Sequence, residues 1–172
     1  KCQIDPMIGS PGCRAAQKYG LERPNLFCKD PLKYILKTNL SEQYDFEKVF
    51  VKPATTILKQ KRRTDRNQSL LKNGTQTHGN IFDLEPDLTN EIKNVIQLEV
   101  EKYKEHFKDS TEGFIENWPS DYSIYGWFIS MKSGGELKPH MHENGWISGS
   151  IYINVPPKRT VDSGNLVVSI ED

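Results

Sequence analysis

The chain has 172 residues, 35% hydrophobic and 27% charged, with 23 basic residues against 23 acidic ones. That length supports one domain with a real core, and the balanced charge removes the electrostatic case for a nucleic-acid or acidic-membrane partner. No apolar run approaches the ~18 residues a membrane span needs, and no signal peptide is read at the start, so a cytoplasmic setting is expected. The three thiols Cys2, Cys13 and Cys28 are odd in number and lack C-x-x-C spacing, which favours free cysteines in a reducing compartment. Lys1 is not a Met and Asp172 closes an apolar alternation, so both ends read as cut.

In chain order, Gly9-Ser10-Pro11-Gly12 precedes a short helical candidate at 13–19. Asp30-Pro31 is suited to cap and open another helix through Leu36. Residues 1–50 therefore read as a helical lead-in. Val49-Phe50-Val51 and the stretch 55–58 suit short strands interrupted by Pro53. Residues 59–80, with a basic run followed by many Asn, Gly, Thr and Gln residues, predict a surface loop. From 88 to 107 the period becomes helical: Leu88, Ile92, Val95, Ile96, Tyr103 and Phe107 make one apolar stripe, suited to packing on a sheet. His106 near its end is expected to face solvent.

Beyond Tyr122 the period changes to two. Strands are expected at 122–131, ended by Ser133-Gly134-Gly135, at 146–155, ended by Pro156-Pro157, and at 165–170 after the turn Asp162-Ser163-Gly164. A helix followed by such strands predicts an α+β fold with a largely antiparallel sandwich or barrel. In the second strand Ile147, Gly149, Ile151, Ile153 and Val155 share an apolar face, with Trp146, Ser148, Ser150, Tyr152 and Asn154 on the other. Large aromatics in strands chiefly pack cores, while Tyr125, Trp127 and Trp146 are also candidates for a substrate mouth.

The chemistry concentrates at Pro139-His140-Met141-His142. Residues two apart in an extended segment project from one face, so both imidazoles can converge on one ion. The spacing also fits the opening of the cupin pattern, from Gly134 through five residues to His140-x-His142, although the Glu of that pattern is missing. Third-donor candidates are His78, Glu143, Glu171 and Asp172. Ser148 and Tyr152 lie four residues apart on the polar face, placed to hydrogen-bond one anionic ligand.

The stretches 126–135, 139–142 and 146–152, with the polar loop 73–80 before the long helix, together resemble a family of 2-oxoglutarate/Fe(II)-dependent oxygenases over roughly residues 55–172. That resemblance implies a double-stranded β-helix (jelly-roll) core across residues 51–172, with helices of residues 1–50 packed against it. It implies Fe(II) as cofactor, 2-oxoglutarate as co-substrate, and hydroxylation of an unidentified small-molecule or peptide substrate. His140 becomes the first iron ligand, and His142 stands where the superfamily usually places a carboxylate. Ser148 and Tyr152 match the hydroxyls that hold the 2-oxoglutarate carboxylate. The later His and Arg of such enzymes have no counterpart after His142 other than Arg159 in a loop, so the jelly roll is expected to be incomplete. A cupin-type metal protein and a non-catalytic binding module are the alternatives.

Overall fold

A computed structural model describes residues 4–21, 25–60, 64–66, 68–158 and 160–170, and among these the strand ladder is confined to one antiparallel three-stranded sheet. With its helices the structure is α+β. The chain divides into two compact units, one made of Lys1–Lys37, Tyr103–Ser120 and His140–Asp172, the other of Thr38–Lys102 and Asp121–Pro139. No described helix is long and apolar enough to cross a membrane.

The second of these units holds the sheet, in the order β1 (Asp65–Arg66), β2 (Leu71–Thr77) and β3 (Ile129–Leu137). The polar run expected to be a loop is thus the central strand. Hydrogen-bonding neighbours on both sides outweigh the poor strand propensity of Asn, Gly and Gln. Register runs from Leu71 opposite Leu137 to Gln76 opposite Ile129, with an irregularity between Lys72 and Gly74. There Asn73 and Gly134 both take positive φ, 48° and 72°, and Asn73 Nδ2 donates to the Gly134 carbonyl at 3.3 Å. Gly134-Gly135 therefore lies within β3 at a bulge and does not end the strand. Tyr122–Phe128, expected as strand, precedes the ladder rather than joining it.

Residues 47–59 also depart from expectation. In place of two short strands they form a π-turn, Glu47–Val51, continued by helix α2, Lys52–Lys59. Pro53 sits in the first turn of α2, where its missing N–H costs nothing. Val49, Phe50, Ala54 and Ile57 are buried, a helical spacing stretched by the extra residue of the π-turn. The long helix forms as expected, Pro86–His106, numbered α4 after the single turn α3 (Ile81–Leu84), and buries Thr89, Ile92 and Val95.

The approach to β3 is pinned by side chains. Asn80 Oδ1 accepts from the Gly126 N–H at 3.0 Å, while its Nδ2 donates to the Ile124 carbonyl at 3.2 Å and to Asp83 at 2.9 Å. Thr77 adds a reciprocal pair with Phe128: its N–H donates to the Phe128 carbonyl, and its buried Oγ1 accepts from the Phe128 N–H, each at 3.0 Å.

The other unit begins with α1, Pro6–Tyr19, longer than the helix expected from 13 to 19. Asp5 caps it by accepting from Met7 N–H at 2.8 Å, and Gly20 ends it in the left-handed conformation. The helix expected to open at Asp30 is only a 3₁₀ turn, Pro31–Tyr34, and Asp30 pairs with Lys33 Nζ at 3.0 Å instead of capping it. The core is Phe27, Cys28, Phe114 and Ile115, where Phe114 and Ile115 come from the short helix α5, Gly113–Glu116. Tyr34, Tyr103, Phe107, Trp118, Trp146 and Ile147 pack around it. Cys13 and Cys28 are free thiols, Cys28 pushed up to about 12 by burial and then by Glu112; Cys2 lies outside the described residues. His106 is exposed, as expected for a helix end.

Residues 146–155 and 165–170 form no ladder among the described residues. In the first segment Ile147, Ile151 and Ile153 are nonetheless half-buried while Ser148, Ser150, Tyr152 and Asn154 are exposed, so the predicted face alternation survives in part; Gly149 and Val155 of the apolar face are exposed and Trp146 is half-buried. In the second, Leu166 and Val167 are 60% and 81% exposed: strand propensity realises itself only against a partner. The turn before it does form, closed by Asn165 N–H to the Asp162 carbonyl at 3.2 Å, with Gly164 at φ 70°.

Replacing Asn80 with Ala strands the Gly126 N–H and the Ile124 carbonyl, and should cost about 1–3 kcal/mol in urea unfolding. Asn80→Asp keeps the acceptor but sets a carboxylate oxygen against the Ile124 carbonyl and the Asp83 carboxylate, and should lose at least as much. An unchanged midpoint for both variants would remove the clamp from the account of this unit.

Candidate metal centre

The site is built on residues 140–148, and its anchor is Trp146. The indole N–H donates to the Phe114 carbonyl at 2.9 Å, and the ring meets Phe27 edge-on with centroids 5.1 Å apart. Phe27 in turn contacts Phe114 at 5.7 Å, and the Phe27 carbonyl accepts from the Phe114 N–H at 2.9 Å. Trp146 therefore packs against the core, the role expected of a large aromatic here. Tyr125 and Trp127, the other candidates for a substrate mouth, lie in the other unit, with rings 5.8 Å apart.

Ahead of the anchor the chain turns: Gly145 N–H donates to the His142 carbonyl at 3.0 Å, with Glu143 and Asn144 at the tip. The turn folds Ser148 back onto His142, whose Nδ1 lies 2.7 Å from Ser148 Oγ. The two histidines also meet, with Nε2 atoms 3.0 Å apart and ring centroids 4.9 Å apart. Three of the four expected site residues, His140, His142 and Ser148, thus form one chain of contacts. Tyr152, 51% exposed, takes no part in these hydrogen bonds.

Both histidines remain in contact with solvent. The surrounding protein still lowers the His142 pKa below the ordinary 6.5, mainly by desolvation and then by the neighbouring His140. Desolvation and a like charge both disfavour imidazolium, so at neutral pH the ring is held in the uncharged form that a metal requires.

The donor set can be tested against an ion. Two nitrogens bound at right angles to one metal, each at about 2.1 Å, lie about 3.0 Å apart. The observed Nε2–Nε2 separation is 3.0 Å, so the pair fits two adjacent positions of one coordination sphere. Among the described residues no cluster of three or more His, Cys, Asp and Glu side chains is set to hold a metal. Of the proposed third donors, Glu143 is exposed on the turn and His78 belongs to the other unit. Glu171 and Asp172 lie outside the described residues, as does Arg159.

Sequence reasoning did not foresee the Ser148–His142 contact. Their six-residue separation matches neither strand nor helix periodicity, and it closes only through the turn at 142–145. The signal available was Glu143-Asn144-Gly145, a turn-forming run.

Residues 125–169 match a family model described as "Putative 2OG-Fe(II) oxygenase". The match supports that oxygenase family and contains both histidines, Ser148 and Tyr152. No curated protein and no solved structure matched the chain.

Two outcomes follow for this segment. Trp146→Phe keeps a ring against Phe27 but leaves the Phe114 carbonyl without its donor, and should lose about 1–2 kcal/mol in urea unfolding. Trp146→Ala should lose about 3 kcal/mol; a Trp146→Phe variant as stable as the wild type would show that the indole hydrogen bond contributes nothing. The second concerns pH. Because the folded-state pKa of His142 lies below its unfolded value, the unfolded chain takes up the proton first as pH falls. The stability contributed by the neutral ring is whole above about pH 6.5 and declines below it, toward the lower folded value. Urea midpoints of the wild type and His142→Gln should therefore converge as pH falls from about 7.5 to about 5. A constant gap would contradict the lowered pKa.

Proposed function

We propose that the chain belongs to a 2-oxoglutarate- and Fe(II)-dependent dioxygenase that hydroxylates an unactivated C–H bond of a small-molecule or peptide substrate. The observation that carries this reading is the convergence of His140 and His142, Nε2 to Nε2 at 3.0 Å, inside the matched segment. His140 and His142 would hold the iron, and Ser148 and Tyr152 would offer hydroxyls to the 2-oxoglutarate carboxylate. Bound iron would supply oxygen activation coupled to decarboxylation of 2-oxoglutarate. The chain's own part is to hold two imidazoles side by side and to set the Ser148 hydroxyl next to them.

In this reading the domain is a double-stranded β-helix spanning residues 51–172, with residues 1–50 as a helical lead-in. The burial alternation from Ile147 to Ile153 and the antiparallel sheet of β1, β2 and β3 support it. The setting is cytoplasmic, in keeping with the free thiols of Cys13 and Cys28.

Titration of the chain with Co(II), followed by its visible absorption, tests the ligands. His140→Ala should weaken binding by more than the 10–100-fold that losing an outer hydrogen-bond partner costs; stoichiometric metal retained in that variant would refute the assignment. With Fe(II) present, oxygen uptake and succinate formation should require 2-oxoglutarate. Metal binding with no response to 2-oxoglutarate would favour the cupin alternative, and absence of both would favour a binding module.

A further inference from the structure

Ser148 entered as a partner for the co-substrate, yet its oxygen lies 2.7 Å from His142 Nδ1. A neutral imidazole carries one N–H, so a proton on Nδ1 leaves a lone pair on Nε2, and a proton on Nε2 removes it. His142 Nε2 is the nitrogen that faces His140, at 3.0 Å. Which tautomer forms is set by the hydrogen bond at the opposite nitrogen. Resting on the oxygenase reading above, we infer that Ser148 is a positioning residue: its oxygen accepts the Nδ1–H of His142, fixing the ring so that the Nε2 lone pair points to the place an ion would occupy beside His140.

Three features carry this. The hydrogen bond is short, 2.7 Å, and fixes the ring's rotation. Ser148 is only two residues from Trp146, whose indole is tied to the Phe114 carbonyl at 2.9 Å, so the acceptor rests on the aromatic core rather than on a free loop. The turn that returns Ser148 to His142 is itself closed by a hydrogen bond, Gly145 N–H to the His142 carbonyl at 3.0 Å. A hydroxyl has one donor and two acceptor sites, so an oxygen that accepts from His142 still has its O–H for a carboxylate. Positioning His142 and meeting the co-substrate are therefore compatible roles.

The test uses the full chain and two readouts. In the metal-free protein at about pH 8, above the ordinary histidine range, nitrogen-15 spectra of the imidazoles should show His142 protonated on Nδ1. Ser148→Ala should return the ring to a mixture, while Ser148→Thr, which keeps the hydroxyl, should preserve it. In Co(II) titrations Ser148→Ala should weaken binding by about 10–100-fold and Ser148→Thr should restore it. Ser148 is exposed, so circular dichroism should show all three proteins equally folded. A wild-type ring protonated on Nε2, or a tautomer indifferent to Ser148→Ala, overturns the inference even when Co(II) binds and the oxygenase reading stands. A Ser148-dependent tautomer in a chain that binds no Co(II) upholds the positioning of the ring and overturns the oxygenase reading.

Discussion

The candidate centre depends on one side chain outside the histidine pair. Trp146 sits between His142 and Ser148 in sequence, and its indole is fastened to the Phe114 carbonyl and laid against Phe27. A segment without ladder bonds has little to hold its backbone, and exposed polar residues contribute few contacts of their own. Burying an aromatic ring of this size supplies that fixity at one point. The turn at 142–145 and the Ser148 contact then extend it in both directions. The aromatic network behind Trp146 is continuous: Phe114 meets Tyr34 at 4.9 Å, Tyr34 meets Phe107 at 5.0 Å, and Tyr103 Oη donates to the Tyr34 carbonyl at 2.8 Å. Side-chain packing replaces strand pairing as the means of positioning.

The same architecture explains an electrostatic feature of the site. Two imidazoles in direct contact cannot both be charged without repulsion, and the protein around His142 adds a desolvation cost to its charged form. Both effects disfavour the charged form of His142 although solvent reaches the ring. The neighbour of His142 Nδ1 is the Ser148 hydroxyl, whereas a carboxylate there would raise the pKa and favour imidazolium. A hydroxyl can orient a ring without charging it.

What was legible in the sequence was the pattern, and what was not was the pairing. The stripe of α4 and the convergence of His140 with His142 were readable because each is a property of one segment's own period. The strand at 71–77 was not, because its Asn, Gly and Gln residues belong to a central strand only through β1 and β3, partners that no local window contains. The stretch 49–58 misled for a related reason: β-branched and aromatic residues suggested strand, while the spacing of Val49, Phe50, Ala54 and Ile57 was helical once one residue was given to a π-turn. Residues 165–170 show the converse, with high strand propensity and no ladder. Trp146 was grouped with the polar face by strict alternation; its neighbour Gly145 lies in the turn, so the alternation begins after it.

That last point bears on how the site's hydroxyls relate to one another. Counting from Trp146 put Ser148 and Tyr152 on one face as equivalent anchors for a single anion. The geometry separates them: Ser148 is drawn to His142 by the turn, while Tyr152, four residues on, lies outside that hydrogen-bonded chain and keeps half its surface exposed. A ligand carboxylate seated near His142 would meet a Ser148 hydroxyl already held by its contact with that ring. Tyr152 would meet it on a longer arm, with rotamer freedom to lose on binding. The two hydroxyls are thus unequal by construction: one is fixed by a contact within the chain, and the other must be ordered by the ligand itself.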